Sequence, residues 1–299
     1  MDSQEKTRFQ SLYQRHLQAL QLQGKRPATI DLYSRAVRRV SAHFDRCPDD
    51  LTQDELKSYF TSLVQSHSWS TVRTDRFGLQ FFWQHVLEKD WNWVRIVKPP
   101  RTSRIPDVLS VDEVVKLLGV VRKERYRTFF LTLYSMGLRL GEGLALRVSD
   151  IDSSRMLVHI RQGKGNKDRL VPLPEVTLEA LRNFWKTHRN PALLFPNQNG
   201  SPETIRTATT PMDRGGVQEA LKVALREVGI AKRITVHSLR HSFATHLVEG
   251  KVHLRLIQDI LGHASPLTTA LYARLTEPSF QDRVKAIKTL MDRFRPGKG

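Results

Sequence analysis

The chain has 299 residues, of which 39% are hydrophobic and 26% charged, and its formal net charge is +18. It is long enough for two domains, and it lacks the roughly 20 consecutive apolar residues of a membrane span; export is not expected, because the first residues, MDSQEKTRFQ, have no apolar run. The single cysteine, Cys47, excludes an internal disulfide and a cysteine-based metal site, and the basic excess favours a polyanion as partner, nucleic acid first and an anionic membrane surface second.

Four helices and no strand are predicted in the first third of the chain. Helical periodicity runs over residues 4–23, 28–45, 53–66 and 70–88, with glycine, proline or polar breaks between the runs. We interpret the large apolar residues of the last run as core, with stacking on nucleic-acid bases as the alternative. These residues are Val72, Phe77, Leu79, Phe82, Trp83, Val86 and Leu87.

A proline-rich segment from Arg95 to Pro106 has no helical period and is predicted to be a linker. We therefore expect a helical domain over residues 1–94, a linker over 95–108, a second domain over 109–280 and a tail over 281–299. The outer faces of the helical domain carry arginines that could bind a phosphate backbone: Arg35, Arg38, Arg39, Arg73 and Arg76.

Helices also dominate the second domain, but one hairpin is predicted among them. Residues 156–161 and 167–173 are candidates for extended strands on either side of a glycine-rich turn. A long surface loop is expected over 197–216, followed by a helix over 217–228. The predicted fold class is mainly α with a small antiparallel β-sheet, that is, α+β.

Four short polar patches in the second domain indicate chemistry. They are Gly137–Glu142 (GLRLGE), Gly163–Gly165 (GKG), His237–His241 (HSLRH) and Leu261–His263 (LGH), the last followed nine residues later by Tyr272. Each patch alone has an ordinary structural explanation. Arg139, for example, could form an ion pair with Glu142 or with Asp150.

Together, the patches fit the transfer of a phosphoryl group. Arg139 and Arg240 suit the non-bridging oxygens of a phosphodiester, because the planar guanidinium binds such oxygens bidentately and stays charged as the transition state forms. His237 is three residues from Arg240 and is therefore its neighbour on a helix. Tyr272 supplies a nucleophile that can form a covalent phosphotyrosine. A lysine at the hairpin tip, Lys164, can donate a proton to the departing oxygen.

The order Arg, Lys, His-x-x-Arg, His, Tyr, carried by GLRLGE, GKGNKDR, HSLRHSFATHL and LGH, resembles the tyrosine recombinases, above all the Xer-type and integrase-type members. The resemblance covers the whole chain. It implies a helical, SAM-like core-binding domain followed by a tyrosine-recombinase catalytic domain. It also implies that DNA strands are cleaved and rejoined through a 3′-phosphotyrosyl intermediate and a Holliday junction, without metal, cofactor or ATP.

The resemblance implies a role for each residue at a matching position. Arg139 and Arg240 would bind the scissile phosphate, and Tyr272 would attack it. Lys164 would be the general acid for the 5′-hydroxyl, with Lys167 as the alternative and otherwise as a DNA contact.

Further roles concern groups around the phosphate. His237 would accept the proton of the tyrosine, and His263 would donate a hydrogen bond to a phosphate oxygen. Glu142 and Asp150 would support the arginines without touching the substrate. Arg169, at the end of the hairpin, is expected to contact DNA.

The implied partner is double-stranded DNA with a specific core site, bound by a homotetramer on synapsed sites, with or without a paralogous recombinase. No membrane is expected, and the implied location is the cytoplasm, at the nucleoid. In the family, a C-terminal helix docks into the neighbouring subunit. Packing of residues 281–299 on their own domain is an equal alternative.

Three other functions remain open from the sequence. His237 and His241 have the spacing of zinc ligands on a helix, but no glutamate lies between them and the cationic Arg240 would repel the metal. A DNA-binding regulator without catalysis would explain the charge but not the tyrosine and the lysine. A type IB topoisomerase would share the chemistry and would relax DNA as a monomer.

Overall fold

The computed structural model of the chain describes residues 1–91, 106–161 and 168–262. The chain divides into two compact units, residues 1–103 and 104–299. Several positions named above lie outside the described residues: Lys164, Lys167, His263, Tyr272 and the tail 281–299. In the described parts, no helix combines the length and the apolar character that a membrane span needs.

The first unit contains four α-helices over residues 1–91, as the periodicity predicts, and no strand in that range. They are α1 (Ser3–Leu22), α2 (Pro27–Phe44), α3 (Gln53–Ser66) and α4 (Trp69–His85), with a 3-10 turn at Pro48–Asp50. The side chains of Asp2, Thr52 and Ser68 accept a hydrogen bond from a backbone N–H in the first turn of α1, α3 and α4. These caps explain why the helices begin where they do.

The core of this unit forms where α2 and α4 pack closely. A Cβ on Gly78 would lie 2.9 Å from Ala36 Cβ and 3.0 Å from Tyr33 Cα, so the close approach requires a glycine. The predicted apolar stripe of α4 is buried or partly buried except for Phe77, which is 43% exposed, with the Arg76 guanidinium 5.6 Å from its ring centroid. The prediction that Phe77 belongs to the core is therefore wrong, since its side chain remains exposed to solvent.

The second unit is mainly helical with one small sheet, so the predicted fold class is confirmed. The helices are α5 (Val111–Val120), α6 (Glu124–Ser135), α7 (Leu140–Leu144), α8 (Glu175–His188), α9 (Pro202–Arg206), α10 (Arg214–Val228), α11 (Val236–Glu249) and α12 (Leu254–Leu261). The strands are β1 (Ile151–Asp152), β2 (Leu157–Ile160) and β3 (Arg169–Pro172), with a 3-10 turn at Val148–Asp150.

The sheet is antiparallel in the order β1-β2-β3, and the predicted hairpin corresponds to β2 and β3. Val158 pairs with Val171, and both side chains are buried against the helices. Ile160 pairs with Arg169 at the end of the hairpin that leads to residues 162–167. The sheet thus fixes the backbone of Arg169, which follows residues 162–167 in the sequence.

The segment predicted as a long surface loop, 197–216, is partly helical. It contains α9, and α10 begins three residues earlier than predicted because the Asp213 carboxylate accepts a hydrogen bond from the Gly216 N–H at 2.6 Å. The buried Asn190 side chain donates to the carbonyls of Ile205 and Ala208, which fastens the segment to the core.

A large apolar core holds the second unit together. Helix α6 packs against α8 and α11, and Phe129, Phe130 and Leu133 are fully buried between them. Burial of each such side chain contributes about 1.5–3 kcal/mol. Helices α11 and α12 pack on one another through Ala244, Ile257 and Leu261. This packing fixes the ends of α6, α11 and α12 where the polar patches meet.

Candidate active site

Arg139 is positioned by a turn that only glycine fits. Gly137, which follows α6, has φ +59°, a conformation unfavourable for other residues. A Cβ there would lie 2.6 Å from Leu261 Cδ2 and 2.7 Å from Phe243 Cδ1. The turn directs the chain into α7, where Arg139 is the residue before the first turn. The glycine of GLRLGE therefore sets the direction from which Arg139 enters the site.

Arg240 is the most deeply buried charged residue of the site. Its side chain is 1% exposed, Nη1 donates to the Gly137 carbonyl at 2.7 Å and Nη2 to the Leu261 carbonyl at 2.6 Å. Both acceptors are neutral, so they fix the guanidinium without cancelling its charge. Arg240 lies on α11 beside the buried Leu239. Its guanidinium is therefore held in a fixed position as a cation, whatever ligand it binds.

Glu142 is the centre of the arrangement. Its carboxylate accepts hydrogen bonds from Arg139 Nη1 at 2.6 Å, from the Arg139 N–H at 2.9 Å, and from Arg169 Nη1 and Nη2 at 3.0 and 2.8 Å. Arg240 Nη1 lies 3.9 Å from Glu142 Oε2. One carboxylate therefore faces three guanidinium groups within the part of the chain that the structure describes.

The pKa of Glu142 reflects its arginine partners. Burial alone would raise the pKa of the carboxyl, but hydrogen bonds and charge from Arg169, together with hydrogen bonds from Arg139, lower it to about 2. Glu142 is therefore ionised throughout the physiological pH range. Its predicted place behind the arginines agrees with these contacts.

Arg169 occupies a different place from the one predicted. Its side chain is 10% exposed, and its three nitrogens donate to Glu142 and to the Ile260 carbonyl. A DNA contact was expected there because the residue ends the hairpin. The fold instead turns the guanidinium inward, where the ionised Glu142 compensates for the loss of water.

His237 lies at the exposed edge of the cluster, on the first turn of α11. Desolvation lowers the pKa of the ring, and the charges of Arg240 and Arg139 lower it further. The neighbouring His241 ring lies 4.5 Å away, centroid to centroid, and desolvation with the charges of His237 and Arg240 lowers its pKa to about 4. Both imidazoles are therefore neutral at pH 7, and a neutral imidazole can accept a proton.

The zinc alternative has little support from this geometry. Within residues 1–91, 106–161 and 168–262, no group of three or more His, Cys, Asp or Glu is arranged to hold a metal ion. The cations beside His237 would also oppose a bound Zn²⁺.

Asp150 is buried, but its partners differ from those considered in the sequence. It accepts from Arg161 Nε at 2.5 Å and from the Arg147 N–H at 2.9 Å, not from Arg139. Arg161 directly precedes residues 162–167. Asp150 thus fixes Arg161 at the end of β2, and a different carboxylate, that of Glu142, binds Arg139.

The arginines predicted to bind DNA in the first unit fall into two groups. Arg39 donates from Nη1 to the buried Asp75 at 2.5 Å, so its guanidinium is engaged inside the unit. The other four lie at or near the surface: Arg35 pairs with Asp31, Arg38 lies over the Tyr13 ring, Arg73 is exposed and Arg76 lies over Phe77. Phosphate contact by these four stays a prediction.

Sequence reasoning missed Arg214 at the start of α10. Its side chain is exposed, and a Cβ on Gly141 would lie 3.3 Å from its Nη2, so it reaches the first turn of α7 beside Arg139. Among the described residues, it has no hydrogen-bonded or ion-paired side-chain partner. A cation after Asp213 in a segment without periodicity carries no signal that could have assigned it to the site.

Four of the predicted site residues lie outside the described part of the chain, as stated above. Their places in the sequence connect them to described residues. Lys164 and Lys167 lie in the segment between Arg161 and Asp168, and His263 directly follows Gly262, whose carbonyl accepts from Arg139 Nη2 at 3.3 Å.

Comparison with protein families gives matches over both units. Residues 107–278 match the phage integrase family, and residues 12–93 match the phage integrase N-terminal SAM-like domain. The first match alone covers more than half of the chain.

Individual relatives agree with the family matches. An integrase/recombinase of Escherichia coli is 34% identical, with 79% of this chain and 80% of that protein aligned. The tyrosine recombinase XerA of Pyrococcus furiosus is 31% identical, with 96% of this chain and 97% of that protein aligned.

The fold is also that of a solved structure. A lambda integrase dimer bound to a core site matches with a TM-score of 0.70 at 18% identity, over 88% of this chain and 94% of that one. Together with the family matches and the relatives above 30% identity, the arginines gathered around Glu142 lead to one conclusion: the chain belongs to the phage integrase family and is a tyrosine recombinase.

Proposed function

We propose that this tyrosine recombinase performs site-specific recombination by joining Tyr272 covalently to the 3′ phosphate of a cleaved DNA strand. The observation that carries the proposal is the convergence of three guanidinium groups, those of Arg139, Arg169 and Arg240, on Glu142 in the described residues. Such a group of fixed cations suits a phosphodiester, whose non-bridging oxygens carry negative charge. Arg139, 23% exposed, and the fixed Arg240 are the two groups assigned to its non-bridging oxygens.

The chemical step follows from these charges. As the Tyr272 oxygen bonds to phosphorus, negative charge grows on the non-bridging oxygens, and preorganised arginines stabilise this state more than the ground state. The bond from phosphorus to the 5′ oxygen then breaks. The phosphotyrosine retains the energy of the broken phosphodiester, so rejoining requires neither ATP nor metal.

Two protons move during cleavage. The neutral His237 accepts the phenolic proton of Tyr272, which its lowered pKa permits at pH 7. Lys164 donates a proton to the departing 5′ oxygen, and Lys167 is the alternative donor. His263 donates a hydrogen bond to a phosphate oxygen from its position after Gly262.

The substrate in this proposal is double-stranded DNA with a specific core site. Residues 1–94 form the core-binding domain, 95–108 the linker and 109–280 the catalytic domain; the family matches at 12–93 and 107–278 support this division. Exchange of four strands through a Holliday junction calls for a tetramer, formed by this chain alone or with a paralogous recombinase. Residues 281–299 are proposed to contact the neighbouring subunit, and the protein to act on DNA in the cytoplasm at the nucleoid.

Covalent trapping tests the proposed chemistry directly. A nicked duplex library with a random core is incubated with the protein, and covalent protein–DNA adducts are isolated and sequenced. We expect one core sequence to be enriched and the adduct to form in excess EDTA. Tyr272→Phe should form no adduct while still binding the DNA. An adduct that persists in Tyr272→Phe would disprove the assignment of the nucleophile.

The same selected duplex separates recombination from simple relaxation. A plasmid that carries two copies of the selected core should yield recombinant circles, whereas a plasmid without the core should keep its supercoils. Relaxation of any plasmid, independent of sequence, would favour a type IB topoisomerase instead. Specific binding without any adduct would favour a regulator.

A further inference from the structure

We infer that Arg169 is a positioning residue for the arginines that bind the scissile phosphate, and not a contact to DNA. The inference rests on the proposed function, since it assigns a part in that same site. It begins from the orientation of the side chain, which starts at the solvent-exposed end of a hairpin and yet is 10% exposed.

Every nitrogen of the Arg169 guanidinium is used inside the protein. Nη1 and Nη2 donate to the two oxygens of Glu142 at 3.0 and 2.8 Å, and Nε donates to the Ile260 carbonyl at 3.0 Å. The bidentate geometry fixes the plane of the carboxylate as well as its position. Each Nη nitrogen keeps a second N–H, but the side chain is only 10% exposed, so contact with a phosphate would require the guanidinium to leave this position.

The contact joins three elements that are far apart in the sequence. Arg169 lies on β3, Glu142 on α7 and Ile260 on α12, and 27 and 91 residues separate Arg169 from its two partners. Gly262, with φ +63°, packs against the same side chain, since a Cβ there would lie 2.9 Å from Arg169 Cδ. The side chain therefore fixes the turn from which His263 follows.

The end of α12 receives three arginines in succession. The carbonyls of Ile260, Leu261 and Gly262 accept from Arg169, Arg240 and Arg139 at 3.0, 2.6 and 3.3 Å. The last carbonyls of a helix lack partners within the helix and carry its negative dipole end, so they suit cations. Arg169 is the member of this series whose guanidinium alone bonds both oxygens of Glu142, whereas Arg139 reaches them with Nη1 and its backbone N–H.

The consequence for catalysis is a matter of geometry. Without Arg169, Glu142 would lose two charge-assisted hydrogen bonds and would keep only those from Arg139, so the plane of its carboxylate could shift together with the Arg139 guanidinium. The α12 end would also lose one of its three donors. Both changes displace the guanidinium groups from the phosphate, and a displacement of about 1 Å can slow a reaction on the order of 10²-fold. DNA affinity should remain, because Arg169 bonds to Glu142 and Ile260 and not to DNA.

The test separates cleavage from binding. The variants Arg169→Gln and Arg169→Lys are compared with the wild type on the nicked duplex selected by covalent trapping. Adduct formation is measured in single turnover at saturating protein, and the dissociation constant is measured over a range of salt. Arg206→Gln is the matched control, because it removes an exposed bidentate pair with Glu203 from the same unit.

We expect Arg169→Gln to slow adduct formation on the order of 10²-fold with an unchanged dissociation constant and salt slope. Arg169→Lys keeps the charge and so protects folding, but a single ammonium cannot bridge two carboxylate oxygens and a carbonyl, so most of the defect should remain. Arg206→Gln should behave as the wild type.

Two other results would overturn the inference. If Arg169→Gln weakens binding, reduces the salt slope by roughly 0.9 and cleaves at the normal rate when saturated, Arg169 contacts a phosphate. If Arg169→Lys restores full cleavage, charge alone suffices and the bidentate geometry is irrelevant. Absence of any adduct in the wild type would instead disprove the proposed function, and the inference with it.

Discussion

Each unit of this recombinase buries a carboxylate beside arginine, and the two arrangements differ in their balance of charge. In the first unit, Asp75 is 3% exposed and accepts from Arg39 at 2.5 Å and from the Tyr59 hydroxyl at 3.0 Å. In the second unit, Glu142 is 7% exposed and faces three arginines. One carboxylate meets one cation in the first case, whereas one carboxylate meets three in the second.

The comparison separates a structural ion pair from a prepared anion site. The Asp75 arrangement is neutral and gains nothing from a further anion. The Glu142 arrangement brings three guanidinium groups to one carboxylate among the described residues, and proteins gather several cations where a ligand supplies negative charge. Burial and an arginine partner alone therefore do not distinguish a site, but the convergence of several arginines does.

The largest expected effect comes from removing one side chain beside each carboxylate, a nearby cation in the case of Glu142 and a hydrogen-bond donor in the case of Asp75. Arg240→Ala should slow single-turnover cleavage on the order of 10²–10³-fold, because it removes a preorganised cation from the transition state. Tyr59→Phe removes a donor from Asp75 and should cost about 1.5–3 kcal/mol of folding stability without slowing cleavage by folded protein. Quenched-flow adduct formation and urea unfolding measure the two effects, and near-normal cleavage by Arg240→Ala would remove the basis of the comparison.

Acidification should reveal how much the ionised carboxylate of Glu142 contributes to folding stability. Its folded-state pKa, about 2, lies below the ordinary value of 4.5, so its contribution is complete above pH 4.5 and is lost as the pH falls towards 2. A shift of this size corresponds to about 3 kcal/mol. Hydrogen exchange of the second unit between pH 6 and pH 3 measures the loss, and Glu142→Gln is the control that should lack this component. Parallel curves for the two proteins would contradict the assignment.

The smallest expected effect concerns Arg214, an exposed arginine that lies beside α7 and does not contact Glu142. Arg214→Ala should weaken DNA binding severalfold and reduce the slope of log K against log salt by roughly 0.9, with cleavage at saturation unchanged. Arg226→Ala on the same helix, which lies 3.8 Å from Glu219, provides a paired surface arginine as control. Fluorescence anisotropy across a salt series measures the dissociation constant and the salt slope of both variants, and equal values for Arg214→Ala and Arg226→Ala would contradict the prediction.

The sequence predicts most of the secondary structure because its signals are local. Helical periodicity predicts α1 to α4, and the glycine-rich segment between two extended stretches predicts the hairpin. The short motifs GLRLGE and HSLRH identify Arg139 and Arg240. The neighbourhood of His237 and Arg240 on α11 follows in the same way. Phe77 shows the limit, since periodicity identifies a face but not its edge.

The remainder depends on contacts between distant segments. Arg169 meets Ile260 across 91 residues, and no pattern near Arg169 indicates that it turns inward. Asp150 binds Arg161 rather than Arg139 for the same reason. The accepting carbonyls of residues 260–262 belong to the backbone, which every residue shares, so no side chain marks them.

Those carbonyls also fix when the site can form during translation. Arg139 and Arg240 donate to Gly262 and Leu261, which follow them in the sequence by 123 and 21 residues. Until residue 262 has been translated, a nascent polypeptide can hold Arg139 through Glu142 and Arg240 through Gly137, but not through the end of α12. The complete set of contacts around both arginines therefore forms only after that point of synthesis.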